Sequence, residues 1–304
     1  MIVRTRARLV VASGCCAAYG GFYVLTKHWQ SDPHSTVGPR WLRVGLHNLL
    51  RSIVEACGVK SDAVLTDGRP LPPAPVVITI APHGPYAVGH LCLSAGRFRG
   101  DRRFAGHEKA VLGGASVLFR IPLLREALLA LGLREARAAV LDAALAGGAS
   151  VALSTGGVWE QTHTDCAREQ LITTPRLGFA RLALRHGVPI VPCYAFGENQ
   201  LYGTVDAFPA LRRWLARRWR VGICFCVGKW WCPILPRRTT HVVAVGRPIP
   251  TASVPCPDPT DAQVHAVVDA WTAEMLRLFD DHKHHLPPAV AARGLRIAVS
   301  DPRR

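Results

Sequence analysis

Three short polar clusters, each following an apolar run, hold the residues best suited to chemistry. The first is His83, in Ile80-Ala81-Pro82-His83-Gly84. The second is Glu160, in Gly156-Gly157-Val158-Trp159-Glu160, and the third is Glu198-Asn199, directly after Phe196-Gly197. A histidine, with an unperturbed pKa of about 6.5, suits general base catalysis near neutral pH. A carboxylate on its far ring nitrogen would fix the tautomer and stabilise the imidazolium, and Glu160 is the candidate for that part. The neighbouring glycines, Gly84, Gly156, Gly157 and Gly197, allow tight turns and close approach of backbone to a ligand. The chain has no Gly-x-Ser-x-Gly elbow, so the base is expected to act on a substrate hydroxyl rather than on an enzyme nucleophile. From these residues alone the reading stops at hydrolase or transferase, because a histidine after a strand, a glycine pair and a Glu-Asn pair all have structural uses too.

The elements that must position these clusters follow from hydrophobic pattern and turn residues. Residues 76–80, β-branched and bounded by prolines, predict a buried strand that runs straight into His83. Residues 149–154 and 188–195 predict the strands before Gly156 and Gly197, and 221–227 and 241–245 predict two more. Helices are expected over 43–59, 108–119, 123–131, 134–146, 178–186 and 261–282. Strands alternating with helices predict an α/β fold, with a β-α-β unit over 149–195. Open α/β sheets bind ligands beyond the carboxyl ends of their strands, so the three clusters are expected to meet in one crevice.

Composition narrows the partners. The 304 residues carry a formal charge of +16, which attracts polyanions or an anionic membrane face. No zinc-finger spacing, RNA-binding aromatic signature or basic helix-turn-helix is present, so no nucleic-acid partner is expected. Residues 211–219 interleave arginines with Leu and Trp, which fits a lipid headgroup interface, with a solvated basic helix as the plainer reading. The ten cysteines form no C-x-x-C pair. Buried free thiols in a reducing compartment, and no metal site, are expected. Leu9 to Leu25 is apolar and uncharged, with Arg4, Arg6 and Arg8 before it and Lys27 after it. Its 17 residues approach the roughly 20 that span a bilayer, which favours an uncleaved membrane-anchoring helix over a signal peptide. The expected organisation is an anchor over 1–30, a linker and membrane-surface helix over 31–70, an enzyme domain over 71–286 and a loosely ordered tail over 287–304.

The quoted clusters, together with the run from Arg176 to Asn199, resemble the diacylglycerol acyltransferase type 2 family. So do Phe119-Arg120-Ile121-Pro122-Leu123-Leu124-Arg125-Glu126, Val245-Gly246-Arg247-Pro248-Ile249 and Leu278-Phe279-Asp280-Asp281-His282-Lys283. The likeness covers roughly 76–286. It implies a mixed sheet flanked by helices, like other glycerolipid acyltransferases. The implied activity is transfer of a fatty acyl group from acyl-CoA to diacylglycerol, forming triacylglycerol. Monoacylglycerol or a fatty alcohol is the alternative acceptor, and a catalytically silent lipid-binding homologue is the reading from another class. No bound cofactor is implied, since acyl-CoA is a co-substrate. The implied partners are the neutral acceptor, membrane lipids and a second copy of the chain in a homo-oligomer, at the endoplasmic reticulum membrane or a lipid droplet. The family's x-Pro-His-Gly signature places its catalytic histidine at His83, and its Gly-Gly-x-x-Glu element matches Gly156, Gly157 and Glu160. Gly84, Arg120, Gly156, Gly157, Arg176, Gly197, Glu198 and Asn199 become the candidate substrate-binding residues. The chain departs from the family at Ala81, where animal members commonly carry a second histidine and plant members a glutamate, and at Ala87, where the family has glycine.

Overall fold

The β-branched run before His83 forms strand β2 (Val77–Ala81), in which every residue is buried. In the computed structural model, which describes residues 18–35, 37–88, 104–107, 110–173, 177–251 and 254–299, β2 is the central strand of a seven-stranded sheet. The order is β1 (Lys60–Leu65), β10 (Thr240–Val245), β7 (Ile190–Phe196), β2, β5 (Val151–Leu153), β3 (Val111–Gly114), β4 (Leu133–Glu135). Strands β7, β2, β5, β3 and β4 run parallel, while β10 pairs antiparallel with β7 and β1 follows β10. The sheet is therefore mixed, as expected, and the carboxyl ends of β2, β5 and β7 share one edge.

Side chains alternate across a strand, so each strand feeds two cores. On one face Val77, Ala81, Tyr194, Phe196, Val242 and Ala244 pack with helices α3 (Ala138–Ala146), α5 (Gly178–His186) and α7 (Asp261–His282). On the other, Ile78, Ile80, Cys193, Ala195, Val243 and Val245 pack with Phe119, with Leu128 and Leu129 of α2 (Leu124–Ala130), and with Leu46 and Leu50 of α1 (Arg40–Ala56). Helices α5 and α7 keep the ends expected from sequence. Thr260 caps α7, accepting from the Gln263 amide, and Gly187 closes α5 with φ +60°. Helix α7 buries Val264, Trp271, Met275, Leu278 and Phe279 along one stripe, each worth roughly 1.5–3 kcal/mol relative to exposure. The Trp271 indole N–H donates to Thr79 Oγ1 on β2 at 2.8 Å, so the aromatic anchor of α7 leaves no buried polar atom behind.

Several elements depart from expectation. The helix expected over 108–119 is strand β3 followed by a 3₁₀ turn, Leu118–Arg120. A short apolar run is ambiguous by periodicity, and pairing between β4 and β5 decides it. The helix expected over 134–146 is shortened from its front, because Leu133–Glu135 pairs with β3 as β4. Of 221–227 only β9 (Phe225–Val227) is strand, paired with β8 (Gly203–Val205) outside the main sheet. Strand β1 lies within 31–70, so that segment contributes to the sheet as well as supplying a helix. The tail expected to be loose is ordered through Val299. Helix α8 (Pro288–Ala291) leads into β11 (Leu295–Val299), which pairs with β6 (Glu169–Thr173), and Ile297 packs on the core. The expected anchor falls mostly on residues outside the description. Residues 18–25 are helical, and no helix among the described residues is long and apolar enough to cross a membrane.

The chain after that helix is docked by buried charge. Arg125 on α2 is fully buried. Its Nε donates to Gln30 Oε1 at 3.1 Å, its other nitrogens reach the Thr26 hydroxyl and carbonyl, and it lies 4.9 Å from the Tyr23 ring centroid. Arg134 donates to the carbonyls of Asp32 and Ser35, and Gln30 Nε2 donates to Glu135 at 3.0 Å. Burial draws the Arg134 guanidinium down to a pKa of about 10, a shift tolerated because these acceptors surround it. Replacing Arg125 with alanine strands several buried acceptors. It should lower stability by roughly 3 kcal/mol and expose residues 18–35 to protease. Thermal unfolding in detergent with limited proteolysis reads both effects, and an unchanged melting temperature with unchanged cleavage would remove this docking role.

Candidate active site

The parallel order of β5, β2 and β7 brings all three polar clusters to one edge of the sheet. His83 lies two residues beyond β2, its ring half-buried. Its Nδ1 sits 2.9 Å from the carbonyl oxygen of Gly84. A carbonyl can only accept, so Nδ1 carries the proton and Nε2 is the nitrogen able to take one up. Burial lowers the His83 pKa below the usual 6.5, against the opposing pull of the Gly84 carbonyl and the Glu198 carboxylate. The ring is thus neutral at pH 7, the state a base requires.

Glu198 follows β7 and is fully buried. One carboxylate oxygen accepts the Val88 amide at 3.0 Å, and the other lies 3.0 Å from His241 Nε2. His241 stands on β10 with its Nδ1 3.3 Å from the Ser61 hydroxyl on β1. Gly84 rests directly on this carboxylate. It has φ +65°, and a Cβ there would lie 2.7 Å from Glu198 Oε1. Gly197 makes the turn from β7 to Glu198 with φ +85°, where a Cβ would meet the Thr240 carbonyl at 2.2 Å. The His83 loop, β7 and β10 therefore interlock through one carboxylate. Ala87 in the same loop adopts φ +51°, a backbone that favours glycine, which gives a physical reason for the family's glycine there.

Glu160 lies in α4 (Gly157–Thr162), which is tied to the His83 loop by Gln161 Nε2 donating to the Pro85 carbonyl at 2.6 Å. The carboxyl is buried and neither oxygen makes a hydrogen bond of normal geometry. Burial pushes its pKa up to about 8, although main-chain groups of Ile172, Gly156 and His83 pull the other way. Glu160 thus meets the main chain at His83, while the Gly84 carbonyl holds the ring nitrogen it was expected to hold. Protonated at neutral pH, it is no counter-charge for an imidazolium. Glu198 is the carboxylate that favours the charged ring.

The remaining candidates divide. Gly156 packs against the Ile172 carbonyl and Glu160, and Gly157 opens α4. Asn199 is buried, its amide reaching Glu169 Oε2 at 3.3 Å and the Arg168 carbonyl at 3.4 Å, so it braces the site from behind. Arg120 is exposed on the 3₁₀ turn beyond β3, at the same sheet edge. Arg176 lies outside the described residues. Ala81, the family departure, is wholly buried in the core opposite Tyr194. Glu169 was missed by sequence reasoning. It accepts from Tyr194 Oη at 2.6 Å and Gln200 Nε2 at 2.8 Å, and burial raises its pKa to about 7. A glutamate heading the apolar run Leu171-Ile172 was the one available signal.

Comparison with known proteins gives a family model, diacylglycerol acyltransferase, matching residues 66–291. The chain is 26% identical to a diacylglycerol O-acyltransferase 2B of Umbelopsis ramanniana, over 72% of this chain and 67% of that protein. It is 30% identical to a human 2-acylglycerol O-acyltransferase 3, over 68% and 64%. It is 28% identical to a human acyl-CoA wax alcohol acyltransferase 2, over 68% and 65%. The chain spans slightly under two thirds of the length of most of these relatives.

Two measurements test this geometry. Gly84→Ala adds a Cβ at positive φ against Glu198 and should displace the loop, lowering any activity at least about tenfold. Full activity in that variant would mean that the loop adapts. Because Glu160 holds its proton to about pH 8, the native state binds a proton that the unfolded state loses near 4.5. Stability should therefore fall as pH rises between those values. Glu160→Gln should flatten that fall, leaving the part below about pH 7 contributed by Glu169. Identical pH–stability curves for variant and wild type would contradict a protonated Glu160.

Proposed function

The chain belongs to the diacylglycerol acyltransferase family, and from that premise we propose that it moves a fatty acyl group from acyl-CoA to diacylglycerol, forming triacylglycerol. The observation carrying this reading is the His83 ring, neutral and held through Nδ1 at the carboxyl edge of the sheet. His83 Nε2 takes the proton of the acceptor hydroxyl as its oxygen attacks the thioester carbonyl. Charge develops on the carbonyl oxygen, where main-chain amides at Gly84 or Gly157, or the Arg120 guanidinium, would stabilise it. As the C–S bond breaks, Nε2 returns the proton to the leaving sulfur and CoA departs as the thiol. Glu198 favours the transient imidazolium, and protonated Glu160 supports the main chain that carries the ring.

An open pocket of about 1150 Å³ at the β1 and β10 end of the same edge supports a place for the donor. It is lined by Lys60, Lys229 and Arg238, which suit the phosphates of CoA. It lies three strand spacings from β2, roughly 14 Å. Exposed apolar and basic residues on two helices support membrane attachment. They include Trp41, Val44 and Leu49 on α1, and Leu211, Trp214 and Trp219 on α6 (Pro209–Trp219), with Arg213, Arg217 and Arg218 beside them. Endoplasmic reticulum membrane or lipid droplet is the location this reading takes. Likeness to a 2-acylglycerol and a wax alcohol acyltransferase favours monoacylglycerol or a fatty alcohol as the second choice of acceptor.

His83→Ala should lower transfer by about 10²–10⁴-fold while the protein folds. The assay is labelled acyl-CoA incorporation in microsomes of a yeast strain without neutral-lipid synthesis, and the lipid that accumulates names the acceptor. Near-normal triacylglycerol formation by the variant would sink the assignment. Lys60→Ala with Arg238→Ala should raise KM for acyl-CoA about tenfold and leave kcat near its starting value. A change in kcat alone would place the donor elsewhere.

A further inference from the structure

Helix α7 ends at His282, and the 3₁₀ turn Lys283–His285 folds the chain back beside it. The His282 and His285 rings lie stacked, 6.1 Å between centroids and 7° apart, and the His284 and His285 rings are 4.1 Å apart. One ring nitrogen from each lies within 4.8 Å of the other two. The adjacent acids are engaged elsewhere, Asp280 by Lys283 at 2.8 Å and Asp281 by Arg277 at 2.7 Å. Nε2 of His282 is buried and has no hydrogen-bond partner among the described residues. A buried ring nitrogen without a partner calls for a water or an ion.

We propose that His282, His284 and His285 form a binding site for a divalent first-row transition ion. Three imidazoles suit zinc, nickel or copper, and magnesium and calcium prefer oxygen. Bonds of about 2.1 Å need the nitrogens roughly 3.4 Å apart in a tetrahedral set. His284 is exposed and can rotate inward to close that gap. Three protein ligands leave a fourth position for water. None of its ligands takes a bond-making or proton-transfer part in the acyl-transfer chemistry, but the site touches the same framework. Phe196, the last residue of β7 before Gly197-Glu198, has its ring 6.1 Å from both His282 and His285. His285 also lines the pocket that contains Lys60 and Arg238, and the next residue, Leu286, is buried in the core. A bound ion would pin the junction between α7 and the tail against the strand end that presents Glu198.

The test uses the full chain, purified in detergent and stripped with a chelator. Zinc is titrated by calorimetry and cobalt by visible absorption, each with a thermal unfolding curve. The expected result is one equivalent bound with a micromolar or tighter Kd, a higher melting temperature, and a cobalt spectrum without a thiolate charge-transfer band. His284→Ala with His285→Ala should weaken binding by more than about 100-fold and abolish the metal-dependent shift. That double variant should melt where the metal-free wild type melts, which separates a lost site from a lost fold. Equal binding by variant and wild type, a thiolate band from the free cysteines, or no saturation at micromolar ion would each overturn the proposal.

Discussion

The Glu198 carboxylate is the contact on which the arrangement of the site depends. It is fully out of solvent, yet both its oxygens are used, one by the Val88 amide and one by His241. Those partners lie on the His83 loop and on β10, and Glu198 itself follows the end of β7. A single side chain thus joins three neighbouring strands at the edge where the chemistry is proposed. Removing a partner from such a group costs its full desolvation, because the interior offers no water in exchange. The same carboxylate leaves no room for a side chain at position 84, the residue whose carbonyl takes the His83 ring N–H.

Two further glutamates stand near it, and their charge states differ for a physical reason. Glu169 receives hydrogen bonds from Tyr194, Asn199 and Gln200, so burial raises its pKa only to about 7. Glu160 has no side-chain donor of this kind, only weaker main-chain contacts at Ile172, Gly156 and His83, and rises to about 8. Keeping a proton on at least one of them limits the negative charge behind the loop. The imidazole of His83 then feels mainly burial, which keeps it neutral, and Glu198, which favours its charged form. A base needs that balance, neutral at rest and able to accept a proton during reaction.

Around this polar centre the chain places cations for two different purposes. Arg125, Arg134 and Arg212 are buried and spend their donors on internal partners, Arg125 mostly on the side chains of Gln30, Thr26 and Glu126 and the other two largely on main-chain carbonyls, holding the amino-terminal segment and α6 to the body. Arg213, Arg217 and Arg218 lie with exposed Trp214 and Trp219, where charge and aromatic surface meet solvent together. Net charge alone could not separate these roles. A guanidinium among carbonyls is a structural tie, and one beside an exposed indole is available to a phosphate surface.

Sequence by itself determined the α/β class, the strands that lead into His83 and Glu198, the limits of α5 and α7, and the convergence of three clusters on one sheet edge. These are local matters. Apolar periodicity and helix-stopping glycines mark element ends, and the carboxyl-edge rule follows from parallel strands. Only the tertiary structure decided which carboxylate serves His83. Desolvation and hydrogen bonding set charge, and both depend on neighbours distant in the chain, so Glu198 rather than Glu160 is the carboxylate that favours the charged His83 ring. It also decided that 111–114 and 133–135 are strands, since pairing partners override a short ambiguous run. Glu169, His241 and the buried arginines stayed hidden for the same reason. A polar residue in sequence does not show whether it will be surrounded, and the surroundings give it its chemistry.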